Sequence, residues 1–543
     1  MGLSLFNRYT FFVLCVLVTL LTLPFLGSVR WLWVLSLLTG SLSLLGIYDL
    51  LQTRHAVRRN YPILGNVRYL VESVRPEIRQ YLIESDNEQL PFSRTQRSLV
   101  YARAKNQASD RPFGTQKDVN QVGYEFISHS LLPVVPANPA EFRVRIGGVA
   151  CLQPYSASIF NISAMSFGSL SANAILALNK GAQLGNFAHD TGEGSISRHH
   201  TEYGGDLIWE LGSGYFGCRD ENGAFDPQRF AEQARRPQVK MIELKLSQGA
   251  KPGHGGILPK YKISEEIALT RGIPRDRDCI SPARHSTFST PIELLQFIQQ
   301  LRELSEGKPV GFKLCLGHPW EFMAIAKAML ETGIAPDFIV VDGKEGGTGA
   351  APLEFSNHVG VPLREAVMFV HNTLVGIGLR DQVRIGASGK IISAFDIASV
   401  LAIGADWANS ARGFMFAIGC IQSQTCHTNT CPTGVATQDP WRQRALVVPD
   451  KAQRVCNYHR NTLHAFSEML SAAGLSDPSQ LEPRFLVHRL SANEIKLYSQ
   501  MHVYLAPNAL LEGKVEGEFY QRMWAMARAD SFAATAPMAA STV

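Results

Sequence analysis

Between about Phe160 and Arg412 the chain repeats one pattern: a short apolar run that ends in glycine or small polar residues, then a stretch with helical spacing. The runs are Ile159 to Ile162, Phe187 to His189, Leu207 to Glu210, Val239 to Leu246, Val310 to Leu316, Phe338 to Val341, Val383 to Ile385 and Trp407 to Asn409. Helical patterns follow at Ser171 to Leu184, Glu321 to Glu331, Leu363 to Ile377 and Ala394 to Ile403. Eight strand-helix units in about 250 residues predict an α/β fold of the (β/α)8 TIM type. The alternative is a doubly wound open sheet, in which Gly343 to Gly349 would form a phosphate turn.

Ahead of the barrel the pattern is of another kind. Tyr9 to Val29 are 21 residues without a charge, and after Arg30 a second uncharged run extends from Trp31 to Tyr48. At helical rise these reach about 31 and 27 Å, which predicts a two-helix transmembrane hairpin rather than a cleaved signal peptide. Arg54, Arg58, Arg59 and Arg68 follow the second run, whereas the turn holds only Arg30. The positive-inside rule then places the bulk of the protein in the cytoplasm, anchored to the inner membrane by two spans. The predicted divisions are 1–52 for the hairpin, 53–144 for a juxtamembrane leader, 145–440 for the barrel and 441–543 for a C-terminal extension. Within the extension 441–505 reads as helical and charged, Cys456 and His459 read as structural, and the tail after Asp530 is expected to be disordered.

Composition adds little beyond this. The 543 residues are 45% hydrophobic and 18% charged, with a net charge of +5, so neither disorder nor nucleic-acid binding is indicated.

In a barrel, chemistry collects where strands end. Met165-Ser166-Phe167-Gly168 follows the first predicted strand, Thr191-Gly192-Glu193-Gly194 the second, and Gln248-Gly249-Ala250-Lys251-Pro252-Gly253 the fourth. Gly346, Gly347, Ser388 and Gly389 follow the sixth and seventh, and such glycines let backbone amides approach a phosphorylated cofactor. Lys313 interrupts an otherwise apolar strand, so it is either an ion-paired core residue or a cation beside a cofactor. Six of the nine cysteines stand singly, while Cys420, Cys426 and Cys431 crowd one loop that closes on Pro432. That spacing suits an iron-sulfur cluster, and a reducing compartment favours it. Zinc with His427 as fourth ligand is the rival.

Together with Gly346-Gly347-Thr348-Gly349-Ala350-Ala351-Pro352 and the run from Cys420 to Gln438, these motifs resemble the synthase domain of glutamate synthase over about residues 145 to 475. Arg59-Asn60-Tyr61-Pro62 to Lys105 is similar to the leader of stand-alone, FMN-binding members. The resemblance implies a barrel with FMN and a 3Fe-4S cluster that reduces 2-iminoglutarate, formed from 2-oxoglutarate and ammonia. By the same resemblance Lys313 and Glu193 are catalytic, Lys251 and Arg271 bind the 2-oxo acid, and Cys420, Cys426 and Cys431 hold the cluster. Ala164, Met165, Ser166, Gln248, Lys313, Gly347, Thr348, Ser388, Gly389 and Gly413 are the implied FMN contacts. Two departures stand out: His254 and Ile257 replace a Glu and a Gln, and nothing matches the glutaminase domain. Nitrogen is therefore expected from ammonia, an amine or a separate subunit, and electrons from a ferredoxin or reductase subunit. The competing reading is a membrane-associated electron carrier or redox sensor without amination activity.

Overall fold

The computed structural model describes residues 8–535, apart from Gln89, Ser109 and Glu516. The chain forms two compact units, residues 1–90 and 91–543.

In the first unit, helix Thr10–Thr22 runs into a 3-10 turn, Leu23–Phe25, and a second helix covers Trp31–Leu51. The two helices are joined by hydroxyl pairs, Thr19 to Thr39 at 2.8 Å and Ser36 to Thr22 at 2.6 Å. Their outward leucines, among them Leu21, Leu37 and Leu38, are exposed. Of the two predicted spans the structure gives one of spanning length, the 21-residue helix Trp31–Leu51. The first is shorter because Pro24 enters the 3-10 turn and residues 26–30 form the connection.

In the second unit eight parallel strands close into a barrel. They are β1 (Phe160–Ile162), β2 (His189–Asp190), β3 (Leu207–Leu211), β4 (Val239–Lys245), β5 (Val310–Leu314), β6 (Phe338–Asp342), β7 (Arg384–Ser388) and β8 (Trp407–Ser410). β8 pairs back to β1 through Ala408 and Phe160, which rules out the open-sheet alternative. Helices cover the outer faces of parallel strands, so the strands are buried on both sides and read as continuous apolar runs. The crossover helices start at local signals: Ser171 caps Ala172–Gly185, and capping boxes at Thr290 and Ser393 start Pro291–Leu304 and Ala394–Ala402.

The predicted leader from residue 91 onward and the extension are woven into this unit, while residues 53–90 of the leader belong to the first. Helix Val448–Ala472 packs on Ala172–Gly185 so closely that a Cβ on Gly181 would lie 2.4 Å from Val455. His459 bonds Ser158 at 2.9 Å and stacks on Phe187 at 4.0 Å. Strand Glu125–Ile127 pairs antiparallel with Leu486–Arg489. Of the tail, Ser531 bridges to Arg528, and residues 536–543 lie outside the described residues.

Candidate active site at the mouth of the barrel

Side chains alternate along a strand, so Glu243 and Lys245 of β4 share one face, and register places Glu210 of β3 against Glu243 and Lys313 of β5 against Lys245. The result is a cluster of charges within the barrel. Lys313 Nζ donates to Glu210 and lies 3.0 Å from Glu243 Oε1. Lys245 Nζ is 3.0 Å from Glu193 and 3.8 Å from Glu210. Carboxylate oxygens of Asp190, Glu210 and Glu243 converge within 4.8 Å, and Lys313 supplies the positive charge at that point.

Burial opposes the charge on Lys313, yet Glu210, Glu243 and Asp190 hold its pKa well above the usual value. Acids outnumber bases in the cluster, so some acids retain protons. Burial pushes Glu243 up to about 7 despite Lys313, and Asp190 is raised by burial and by Glu243.

Above the cluster, three loops interlock. Gly192 (φ +66) donates its amide to Asp190 at 3.0 Å, and a Cβ there would sit 2.6 Å from Ser166 N. This carries Glu193 over the cluster, where Lys245 and Arg271 overcome the cost of burial and hold its carboxyl below the usual range. A Cβ on Gly256 would fall 2.0 Å from Glu193 Oε1, so the β4 loop passes directly against it. Arg271, 3% exposed, donates to Phe167 O at 3.0 Å and Ser166 Oγ at 3.3 Å. Buried Lys251 has its pKa lowered by burial, partly offset by Glu193. Glu193, Lys251 and Arg271 are thus brought together, while Ala164, Met165 and Ser166 follow β1 and Gln248 follows β4. His254 Nδ1 donates to the Gly255 carbonyl at 2.8 Å, and Ile257 pairs with Ile280 in a two-stranded antiparallel sheet that leaves it 45% exposed.

A recess opens behind β7 and β8, lined by Gly347, Ser388, Gly389, Lys390, Arg412 and Gly413. Arg412 donates to Glu345 O at 2.8 Å, and burial lowers its pKa to about 10. Cationic side chains with backbone amides at glycines suit a phosphate, so the donor set fits FMN. Thr348 instead bonds Ala350 O at 3.2 Å and does not line the recess.

The cysteine loop carries three non-glycine residues at positive φ, Gln422, Gln424 and Asn429, so its path is held by its surroundings. Lys262 Nζ donates to Cys426 O at 3.1 Å and Ser169 O at 3.2 Å, tying the loop to the one after β1. Burial works against the Cys431 thiolate, but the amides of Ala436, Thr433 and Val435 hold its pKa below the usual value. Cys420 and Cys426 are within electrostatic reach of it, and all three thiols are free. Three free thiols on one loop form a donor set that suits an iron-sulfur cluster or a zinc ion.

The sequence singles out the glycine loops, the cysteines, Glu193, Lys251, Arg271 and Lys313. It missed Asp190, Glu210, Glu243, Lys245, Lys390 and Arg412. The signal that exposed Lys313, a charge inside an apolar run, is equally present in Leu207–Leu211 and Val239–Lys245.

A parallel (β/α)8 barrel with charged acid and base side chains at its mouth and a recess lined by cations and glycines defines a barrel enzyme by class. Comparison with known proteins makes the assignment specific. The conserved region in glutamate synthase matches residues 148–476, and the chain belongs to that family. It is 39% identical over 484 residues to the glutamate synthase large subunit-like protein YerD of Bacillus subtilis, covering 82% of this chain and 91% of that protein. It is 36% identical over 321 residues to the archaeal glutamate synthase [NADPH] of Methanocaldococcus jannaschii, covering 59% and 60%. The recombinant flavin-binding domain of baker's yeast flavocytochrome b2 aligns with a TM-score of 0.40 at 12% identity, over 78% of this chain and 85% of that one.

Proposed function

We propose that the protein is an FMN and 3Fe-4S oxidoreductase of glutamate synthase type, which reduces the imine of a 2-oxo acid and ammonia, or an amine, to an amino acid. The observation that carries this reading is the meeting of Lys251, Arg271, Glu193 and Lys245 at the barrel mouth, beside the Arg412 recess, in a chain of this family. Arg271 and Lys251 supply the charges a 2-oxo acid carboxylate needs, while the Lys245–Glu193 pair fixes the polar side of the mouth. Lys390, Arg412 and the glycines hold the cofactor phosphate, and Lys313 stands within the barrel as a fixed cation with its charge secured by Glu210 and Glu243. Cys420, Cys426 and Cys431 hold the cluster. When bound, the flavin supplies a hydride and the cluster single electrons from an external donor such as a ferredoxin or reductase subunit. The helix Trp31–Leu51 anchors the protein in the cytoplasmic membrane, and the arginines after it keep the barrel in the cytoplasm.

The test is anaerobic purification of the whole chain, chemical reduction, and addition of 2-oxo acids with ammonia or amines. Flavin reoxidation matched by amino acid in the product mixture is expected. Flavin that no acid-amine pair reoxidises would leave the electron-carrier reading in its place.

A further inference from the structure

Phe92 and the helix Arg94–Ala104 precede the family's conserved region, which begins at residue 148, yet they touch both parts of the cofactor site. A capping box between Ser93 and Gln96 starts the helix and fixes its direction. Phe92, 1% exposed, lines the phosphate recess. The Arg412 guanidinium lies over its ring at 4.7 Å and the Lys390 ammonium at 5.9 Å. Phe92 and Tyr101 both meet Phe416 edge-on, at 5.3 and 6.2 Å. Phe416 belongs to the helix Arg412–Ala417, which leads from the recess straight to Cys420. There Tyr101 Oη donates to the Cys420 carbonyl at 2.6 Å, and Gln422 Nε2 returns a bond to the Phe92 carbonyl at 3.2 Å. One short segment therefore grips the connection between the two cofactor sites at both ends.

We propose that Phe92 and Tyr101 are positioning residues for both cofactors, with Phe92 setting the two cations of the phosphate recess and Tyr101 the backbone of the first cluster ligand. This rests on the FMN and cluster reading above. Because the segment spans both sites, loosening either contact should register at the other site as well.

The test uses the whole chain purified without oxygen. Wild-type protein is first assayed for iron and flavin; if it carries neither, the cofactor reading fails and this inference with it. In loaded protein, Tyr101→Phe removes one hydroxyl, and Phe92→Leu removes the ring but keeps an apolar group. Asn461→Ala removes a different bond to the same helix, that to Arg103 O at 2.8 Å, which reaches neither Cys420 nor the recess. Tyr101→Phe should release iron to a chelator about tenfold faster, with a changed paramagnetic signal, and Phe92→Leu should release flavin about tenfold faster and also alter that signal. Asn461→Ala should lower the melting temperature and leave both readouts alone. Wild-type release rates and spectra in both ring variants would overturn the proposal, as would equal changes in Asn461→Ala, which would mark the segment as merely structural.

Discussion

Replacing Lys313 with methionine tests the charge cluster without reference to any bound group. Methionine keeps most of the volume and removes the charge, leaving Asp190, Glu210 and Glu243 within 4.8 Å of one another. The side chains of Lys313, Glu210 and Glu243 are 5%, 1% and 1% exposed, so solvent cannot screen the loss. Removing one partner of such a buried pair costs about 3–5 kcal/mol. The barrel unit has about 450 residues, and at about 2.1 cal/mol/K per residue each kcal/mol moves its melting point by about 1 °C, so a fall of about 3–5 °C is expected at pH 8. The sign of the pH dependence follows from the acids. Glu243 is already raised to about 7 and Asp190 lies above its usual value, so the folded state holds protons that the unfolded state gives up. Stability from such groups is lost as pH rises through the raised value, and without Lys313 those values rise further. Lys313 itself stays charged throughout, its own pKa being raised. The variant's deficit should thus shrink at pH 5, where the carboxyls are protonated, and grow toward pH 8. Melting curves by circular dichroism at pH 5, 6.5 and 8 measure this, and the double variant with Glu243→Gln should recover much of the loss. An equal deficit at all three pH values would refute the electrostatic account and leave only packing.

Gly347→Ala should weaken FMN binding about tenfold, or 1.4 kcal/mol, because the new Cβ would lie 2.8 Å from an Arg412 side chain already held by Glu345 O; flavin fluorescence at equilibrium measures it, and unchanged affinity would remove the recess as the phosphate site. Lys262→Met should lower the cluster's reduction potential by on the order of 50 mV, the electrical work of one partly screened cation beside the cysteine loop, read by a redox titration of the paramagnetic signal; no shift would show that the ammonium next to Cys426 O is only a structural tie. Deleting residues 1–90 should leave the barrel folded, since 91–543 form their own compact unit, and should release it from the membrane pellet; a sedimenting or unfolded product would contradict the anchor.

The barrel was legible because each of its strands is buried on both faces, so the chain announces them as apolar runs ending in glycine or a small polar residue. The second run forms a helix of spanning length, whereas for the first run charge-free length says nothing about where a helix stops, and Pro24 with the turn at Gly27 ends its α-helix at Thr22. The glycine loops and cysteines were legible because their spacing is local. Glu210 and Glu243 stand as charges in apolar runs just as Lys313 does, but their pairing with it was not legible, because they come near it only through strand register, itself fixed when β8 closes on β1. The same holds with greater force for Tyr101, whose bond to Cys420 spans 319 residues of chain. No periodicity marks an aromatic that lies in a helix of mixed polarity and meets its partner across the fold. What sequence spacing conveys is therefore the set of groups that touch a ligand along one loop. What it withholds is the set that fixes their charge and position, namely Glu210, Glu243, Lys262 and the leader helix, and those are the residues on which the energetic predictions here depend.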